Sequence, residues 1–175
     1  MAHIHTKPGQ YDHTVSAYIV RLDGDEPKLM LHLHKKLDKL LQFGGHIELD
    51  ETPWNAIVHE LREEAGYDIR QLQILQPLVR ITNLTAGILH PYPVTQISHS
   101  FSEIHSHTDT AYGFVTNQTP KFPVNKDESQ DIRLLNSEEL AKLPNNMIPA
   151  NVRETGLFVI DVCLSKWEKV PTIFA

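Results

Sequence analysis

The chain has 175 residues, 41% of them apolar and 22% charged, the composition of one globular domain long enough to build a core. Its net charge of −6 argues against a general nucleic-acid-binding surface, and its single cysteine, Cys163, excludes an internal disulfide and fits a reducing compartment. No apolar run reaches the roughly 20 residues of a membrane span, and Met1–His5 lacks the regions of a secretory leader, so the expected location is the cytoplasm.

Residues 1–12 carry no periodic pattern and read as an extension ahead of a single domain, with no role for His3 or His5. From His13 to Leu22 the chain is rich in β-branched and aromatic types, which predicts a strand. Asp23-Gly24-Asp25-Glu26-Pro27 supplies turn chemistry. Leu29, Leu31 and Leu33 then alternate with Met30, His32 and His34, so a second strand follows and an antiparallel hairpin is expected. Lys35–Lys39 is a basic loop, and Leu41-Gln42-Phe43 is an extended piece leading into Gly44-Gly45.

A helix should begin at Pro53, because Thr52 is a good N-cap and a missing N–H costs nothing in the first turn. Trp54, Ile57, Val58, Leu61 and Ala65 make its apolar stripe, and Gly66 can adopt the left-handed geometry that ends it. Strand-like stretches follow at 70–81, 95–105, 109–117 and 131–136, with proline-bearing links at 89–93 and 119–123. Ser137-Glu138-Glu139-Leu140 opens a short helix with acids well placed in its first turn. Pro149 opens a last helix carrying Val152, Leu157, Ile160, Cys163, Leu164 and Trp167, in which Cys163 sits on a buried face and not in a nucleophile's setting. Strands with a central and a terminal helix predict an α+β layered fold.

Two groups of residues point to chemistry. Glu60, Glu63 and Glu64 stand at i, i+3 and i+4 and therefore share a helix face, where they repel one another unless a cation sits among them. Oxygen-only donors suit a hard ion such as Mg²⁺ or Mn²⁺, which often bridges to phosphates. Alone, such a run is ordinarily solvated surface. The second group is His105-x-His107-x-Asp109, whose alternation places the side chains on one strand face with His99 close in sequence. That face reads as dispersed surface histidines, as a metal or phosphate site, or as a substrate-binding wall.

Gly44-Gly45 and Gly66 bracket the acids, and Glu51 adds a fourth. Together these resemble the signature of the Nudix hydrolase family, G-x5-E-x7-R-E-U-x-E-E-x-G-U, where U is a bulky aliphatic residue. Gly45 and Glu51 fit the first fixed positions, and Glu60, Leu61, Glu63, Glu64 and Gly66 follow at the required spacing. His59 stands where the family has arginine, and Tyr67 replaces the final aliphatic. Phe43 occupies a position where relatives often have proline and is read as packing.

The resemblance implies a mixed β-sheet sandwiched between α-helices along nearly the whole chain. It implies Mg²⁺- or Mn²⁺-dependent hydrolysis of a phosphoanhydride bond in a nucleoside diphosphate linked to another group, X, such as a nucleoside triphosphate or a nucleotide sugar. Glu63 and Glu64 become metal ligands, Glu60 a further ligand or the general base, and a carbonyl near Gly45 completes the coordination. Glu128, in an acidic stretch ahead of the strand at 131–136, is a candidate for an additional ligand or the base. Asn83-Leu84-Thr85, beyond the box, has neither the proline resembling ADP-ribose enzymes nor the tyrosine resembling dinucleoside polyphosphate enzymes. The family arginine orients the metal helix through a salt bridge to a box glutamate. Histidine lacks that bidentate fork and is only partly charged near neutrality, so His59 is expected to hold a neighbouring acid, Glu51, less firmly. Family members are frequently dimers, which makes a homodimer an expectation by analogy. The alternative function is a ligand sensor or interaction module on the same fold, with His59 its support. An isopentenyl diphosphate isomerase would need a cysteine on a cleft strand, which Cys163 does not provide.

Overall fold

A computed structural model of the chain describes residues 7, 9–102 and 105–173, so His3 and His5 lie outside it, as do Glu103 and Ile104 within the strand expected at 95–105. The hairpin forms as expected. β1 (Tyr11–Arg21) and β2 (Lys28–His34) run antiparallel with Ile19 opposite Met30, and β1 starts two residues earlier than its β-branched content suggests. The chain continues through β3 (Lys39–Leu41) and β4 (Phe43–His46) into α1 (Pro53–Glu63). A 3-10 turn at Ile69–Gln71 leads to β5 (Gln73–Gln76), and a long link then reaches β6 (Thr95–Ser102) and β7 (His105–Thr116). β8 (Ile132–Leu135), α2 (Ser137–Lys142), α3 (Ala150–Leu157) and β9 (Glu168–Pro171) complete it, α3 continuing through a π turn at Phe158–Cys163 and a last turn at Leu164–Lys166.

Two expectations need correction. The strand expected over 70–81 is confined to Gln73–Gln76. Pro77 lacks the N–H a ladder needs, and beyond it Leu78, Val79 and Ile81 are 65%, 94% and 54% exposed, apolar residues with no partner strand. Conversely, the strand expected at 109–117 begins at His105. His105, Ser106 and His107 at its start carry little β propensity, yet the backbone pairs with both neighbours. β9 is a polar edge strand against β5 that no apolar alternation announces.

The spine of the sheet is the parallel pair β1 and β7, in register from Tyr11 opposite Ser106 to Arg21 opposite Thr116; the other pairings are antiparallel. Each spine strand takes two partners along its free edge. β1 pairs with β2 at one end and with β4 at the other, and β7 pairs with β5 and β6 in the same way, so the sheet forks. Alternate residues of β1 enter different cores. Val15, Ala17 and Ile19 pack under α1 with Phe43, Ile57, Leu61 and Tyr67, while Tyr18 and Val20 pack with Val152, Ile160 and Cys163 on the opposite face. Phe43 is fully buried, in agreement with its reading as packing, and burial pushes the Cys163 thiol up to about 12, which suits an inert core residue. On the second face the pattern changes along β1: Tyr18 and Val20 give way to Ser16, Thr14 and Asp12 at the fork. That polar end, buried without being apolar, adjoins the box glycines. Among the described residues no helix is long and apolar enough to cross a membrane.

Candidate active site

α1 is built as its sequence dictates. The Thr52 hydroxyl accepts the Asn55 N–H at 3.2 Å, Pro53 fills the first turn, and Ile57, Leu61 and Ala65 are fully buried. Gly66 ends the helix at φ 72°, with Tyr67 N–H returning to the Leu61 carbonyl at 3.0 Å. A Cβ at Gly66 would come within 2.3 Å of the Phe122 carbonyl oxygen, so the chain crosses there only because the residue is glycine. Phe122 N–H donates to the Gly66 carbonyl at 2.9 Å and Asn125 N–H to the Glu63 carbonyl at 2.8 Å. These bonds fasten the segment after β7 to the end of α1 and carry Glu128 to the acids, where it reaches hydrogen-bonding distance of Glu64 and its charge is felt by Glu60.

Burial separates the three helix acids. Glu60 and Glu64 are 8% and 5% exposed, whereas Glu63 is half open. Desolvation, reinforced by the neighbouring Glu128, Glu63 and Glu51 charges, pushes the Glu60 carboxyl up to about 7 against the pull of His59. Desolvation also pushes Glu64 up to about 9, with Glu60 and Glu128 adding to it, although the Gly44 N–H donates to its Oε2 at 2.8 Å and works the other way. Gly44 has φ 138°, and a Cβ there would lie 2.0 Å from the Val15 carbonyl oxygen, so this contact with Glu64 depends on glycine. Gly45 follows in β4, opposite Val15. Carboxyls raised by burial, with further carboxylates beside them and only the half-exposed His59 to offset their charge, fit a hard divalent cation.

His59 stands between two acids. Its Nδ1 lies 3.4 Å from Glu51 Oε1 and its Nε2 3.2 Å from Glu63 Oε1. Partial burial opposes its charged form, but Glu63, Glu60 and Glu51 outweigh that and raise its pKa. The expected contact with Glu51 is present, and a second one to Glu63 accompanies it.

The residues His105, His107 and Asp109 do share a face, and the structure divides them. Asp109 Oδ1 accepts from Thr14 Oγ1 at 2.8 Å and Ser16 Oγ at 2.9 Å, and Gln42 Nε2 donates to the same Ser16 hydroxyl. Burial raises its pKa, and the two hydroxyls hold that rise back. His105 and His107 instead join Asp12 and His46, residues the sequence reading did not single out. Burial, then the His46, His105 and His99 charges, hold His107 down at about 4, with Asp12 opposing. The available signal for Asp12 was the alternation Asp12, Thr14, Ser16 against Val15, Ala17, Ile19. For His46 the signal was its place two residues beyond Gly44 on the same strand face. A cavity of about 610 Å³ lies on the outer flank of α1 between Trp54, Val58, Leu89 and Ile173; it is lined by none of the acids and belongs to neither group.

A model of the NUDIX domain matches residues 12–155. The chain belongs to the Nudix family. Among solved structures, a Nudix-family hydrolase from Clostridium perfringens is 31% identical, covers 87% of this chain and 98% of its own, and superposes with a TM-score of 0.70. The Ap4A hydrolase of C. elegans is 16% identical over 84% of this chain and 92% of its own, at a TM-score of 0.59. The NUDIX domain of Shewanella oneidensis NrtR, crystallised with ADP ribose, is 12% identical over 77% and 79%, at 0.56. At such identities the last two show the shared Nudix fold. No curated protein matches the sequence. The Nudix family consists of pyrophosphohydrolases that typically use divalent metals, and in this member Glu60, Glu64 and Glu128 lie close enough to raise one another's proton affinity, while Glu63 and Glu51 face His59.

Proposed function

We propose that this Nudix protein uses Mg²⁺ or Mn²⁺ to hydrolyse a phosphoanhydride bond in a nucleoside diphosphate linked to another moiety, such as a nucleoside triphosphate or a nucleotide sugar. The observation that carries this reading is the pair of buried carboxyls, Glu60 and Glu64, on the helix of the Nudix box, with Glu128 beside them and the Gly44 N–H bound to Glu64 at 2.8 Å. Acids raised by burial are destabilised as anions and relieved by a cation.

When bound, a divalent ion supplies the positive charge that offsets the phosphate oxygens and polarises the attacking water. Glu63 and Glu64 would hold it, with the Gly44 N–H fixing one oxygen of Glu64 and the Gly45 carbonyl adding a donor. Glu60 or Glu128, the carboxylates beside them, would take the proton from water. His59 positions Glu63 and Glu51. Of the face carrying His105, His107 and Asp109, the Asp109 end adjoins Gly44 through Ser16 and is the part assigned to the substrate. The alternative, a ligand sensor or interaction module on the same fold, rests on His59, and its contacts with Glu51 and Glu63 are those a brace of the box would make.

The test is a panel of nucleoside triphosphates, nucleotide sugars and dinucleotides with Mg²⁺ or Mn²⁺, with products resolved by chromatography. Turnover of at least one class, abolished by Glu63→Gln and Glu64→Gln in folded protein, is the expected result. No turnover of any class together with no metal binding would remove the enzyme reading.

A further inference from the structure

At the fork of the sheet, side chains from three strands turn toward one point. Asp12 of β1 stands directly opposite His107 of β7 in the parallel register, and His46 at the end of β4 is opposite Thr14, so all of them emerge on one face. One ligand atom from each of Asp12, His46, His105 and His107 lies within 4.8 Å of all the others. His105 Nε2 is 3.4 Å and His46 Nε2 3.5 Å from the same oxygen, Asp12 Oδ2, and His105 Nε2 is 2.8 Å from His107 Nε2. The His107 ring stands edge-on to those of His46, His105 and His99, with centroids 5.1, 4.7 and 5.5 Å away. Asp12 is 1% exposed and His105 6%, while His46 and His107 are half-buried, so the point of convergence lies at the inner end of a partly open cluster.

We propose that Asp12, His46, His105 and His107 form a structural Zn²⁺ site, separate from the acid cluster on α1. Three imidazole nitrogens and one carboxylate oxygen are the donor set of a tetrahedral zinc centre, whereas Mg²⁺ keeps to oxygen. Ligands about 2.0–2.1 Å from zinc in a tetrahedron stand about 3.3–3.4 Å from one another. Both contacts to Asp12 already have that spacing, and the His105–His107 pair needs to open by only about half an ångström to reach it. All four positions are filled by protein, which leaves no place for a reacting group and makes the site a staple. It ties the start of β1 and the start of β7 to His46, the residue after Gly45 and two beyond the Gly44 that holds Glu64. The ion therefore fixes the strand from which the box glycines hang.

The experiment uses the full chain without a histidine tag, with His3 and His5 changed to alanine, stripped by chelator and re-equilibrated with Zn²⁺ in excess Mg²⁺. Zinc per chain after gel filtration is measured by mass spectrometry, and Co²⁺ is substituted to read the coordination from its visible spectrum. One zinc per chain and the intense absorption of tetrahedral Co²⁺ are expected. Both should persist in Glu63→Gln and Glu64→Gln, and zinc affinity should fall at least tenfold in His107→Ala, the more open of the ligands on β7, and in Asp12→Asn. No retained zinc in the folded protein, a weak octahedral Co²⁺ spectrum, equal retention in His107→Ala, or loss on removing the box glutamates would each overturn the site. The stoichiometry and spectrum of the parent protein decide the matter even if a variant fails to fold, and neither depends on hydrolysis.

Discussion

The acid cluster on α1 and the histidine cluster at the fork of β1 and β7 stand at the two ends of β4, and they are opposites in electrostatics. The acids are short of positive charge, so burial makes them keep protons: Glu60 rises to about 7 and Glu64 to about 9. The histidines crowd one another, and burial makes His107 give its proton up, at about 4. The two proposed sites would therefore take different ions: a hard, oxygen-seeking one at one end and a nitrogen-seeking one at the other. Burial, which usually opposes charge, here sorts charge by the chemistry of the donors.

The largest effect should appear where the comparison is broken at the acid end. Removing even an outer partner of a metal ligand typically lowers activity about 10–100-fold. Glu64→Gln, which removes a proposed ligand itself, should therefore reduce kcat/KM by more than about 100-fold, while His107→Ala should reduce it by no more than about tenfold through its effect on the β4 backbone. Equal losses would mean that the two clusters act as one site. Next comes the backbone between them. Gly44→Ala forces a Cβ to 2.0 Å from the Val15 carbonyl at φ 138°, and it should destabilise the fold by about 3 kcal/mol or more, read from the urea midpoint. Gly87→Ala, at φ 87° with no atom within 4 Å, should lose only about 1–2 kcal/mol. Comparable losses at the two positions would show that the Val15 carbonyl does not confine Gly44.

The same contrast explains what the sequence made legible. Glu60, Glu63 and Glu64 lie within one helical turn, and helical periodicity alone puts them on one face, so the acid cluster and the start of α1 could be read directly. Glu128 was reachable only through family resemblance, because its approach depends on the bonds from Phe122 and Asn125 to the end of the helix. The histidine cluster was half visible. Strand alternation gave His105 and His107 a common face, but Asp12 and His46 join them through parallel and antiparallel registers that no local pattern encodes. The same alternation grouped Asp109 with the two histidines, and two hydroxyls from the neighbouring strand draw it to a different partnership. The strand expected across 70–81 failed for the converse reason: β-branched composition without a partner edge makes no ladder.

A smaller effect sharpens the electrostatic side. Because the folded Glu60 and Glu64 bind protons more tightly than the ordinary 4.5 of a glutamate, they contribute stability that is full below about pH 4.5. That contribution is lost as pH rises through 7 and then 9, as each is forced to ionise while buried. Metal-free protein should therefore lose thermal stability from pH 5 to pH 9, and the stabilisation conferred by added Mg²⁺ or Mn²⁺ should grow over the same range. Glu64→Gln removes the group with the larger rise, so its metal-free form should melt above the parent at pH 9 and converge with it toward pH 5. Parallel melting curves at every pH would place the Glu64 proton elsewhere.

The smallest effect belongs to His59, the position at which this box departs from the family pattern. Its ring is half exposed, and its contacts to Glu51 and Glu63 at 3.4 and 3.2 Å are those of a solvated ion pair. Such pairs contribute up to about 1 kcal/mol, which corresponds to at most about fivefold in rate. Arginine at 59 can engage both acids at once with a fixed fork and a charge that does not titrate. His59→Arg should therefore keep turnover or raise it within that fivefold, and it should flatten whatever acid-to-neutral dependence His59 imposes, since the two acids raise the histidine's pKa toward the working range. A collapse of kcat in folded, metal-binding His59→Arg would mean that the imidazole itself touches substrate or a reacting atom. The departure from arginine would then be a functional choice of this chain and not a weaker version of the same brace.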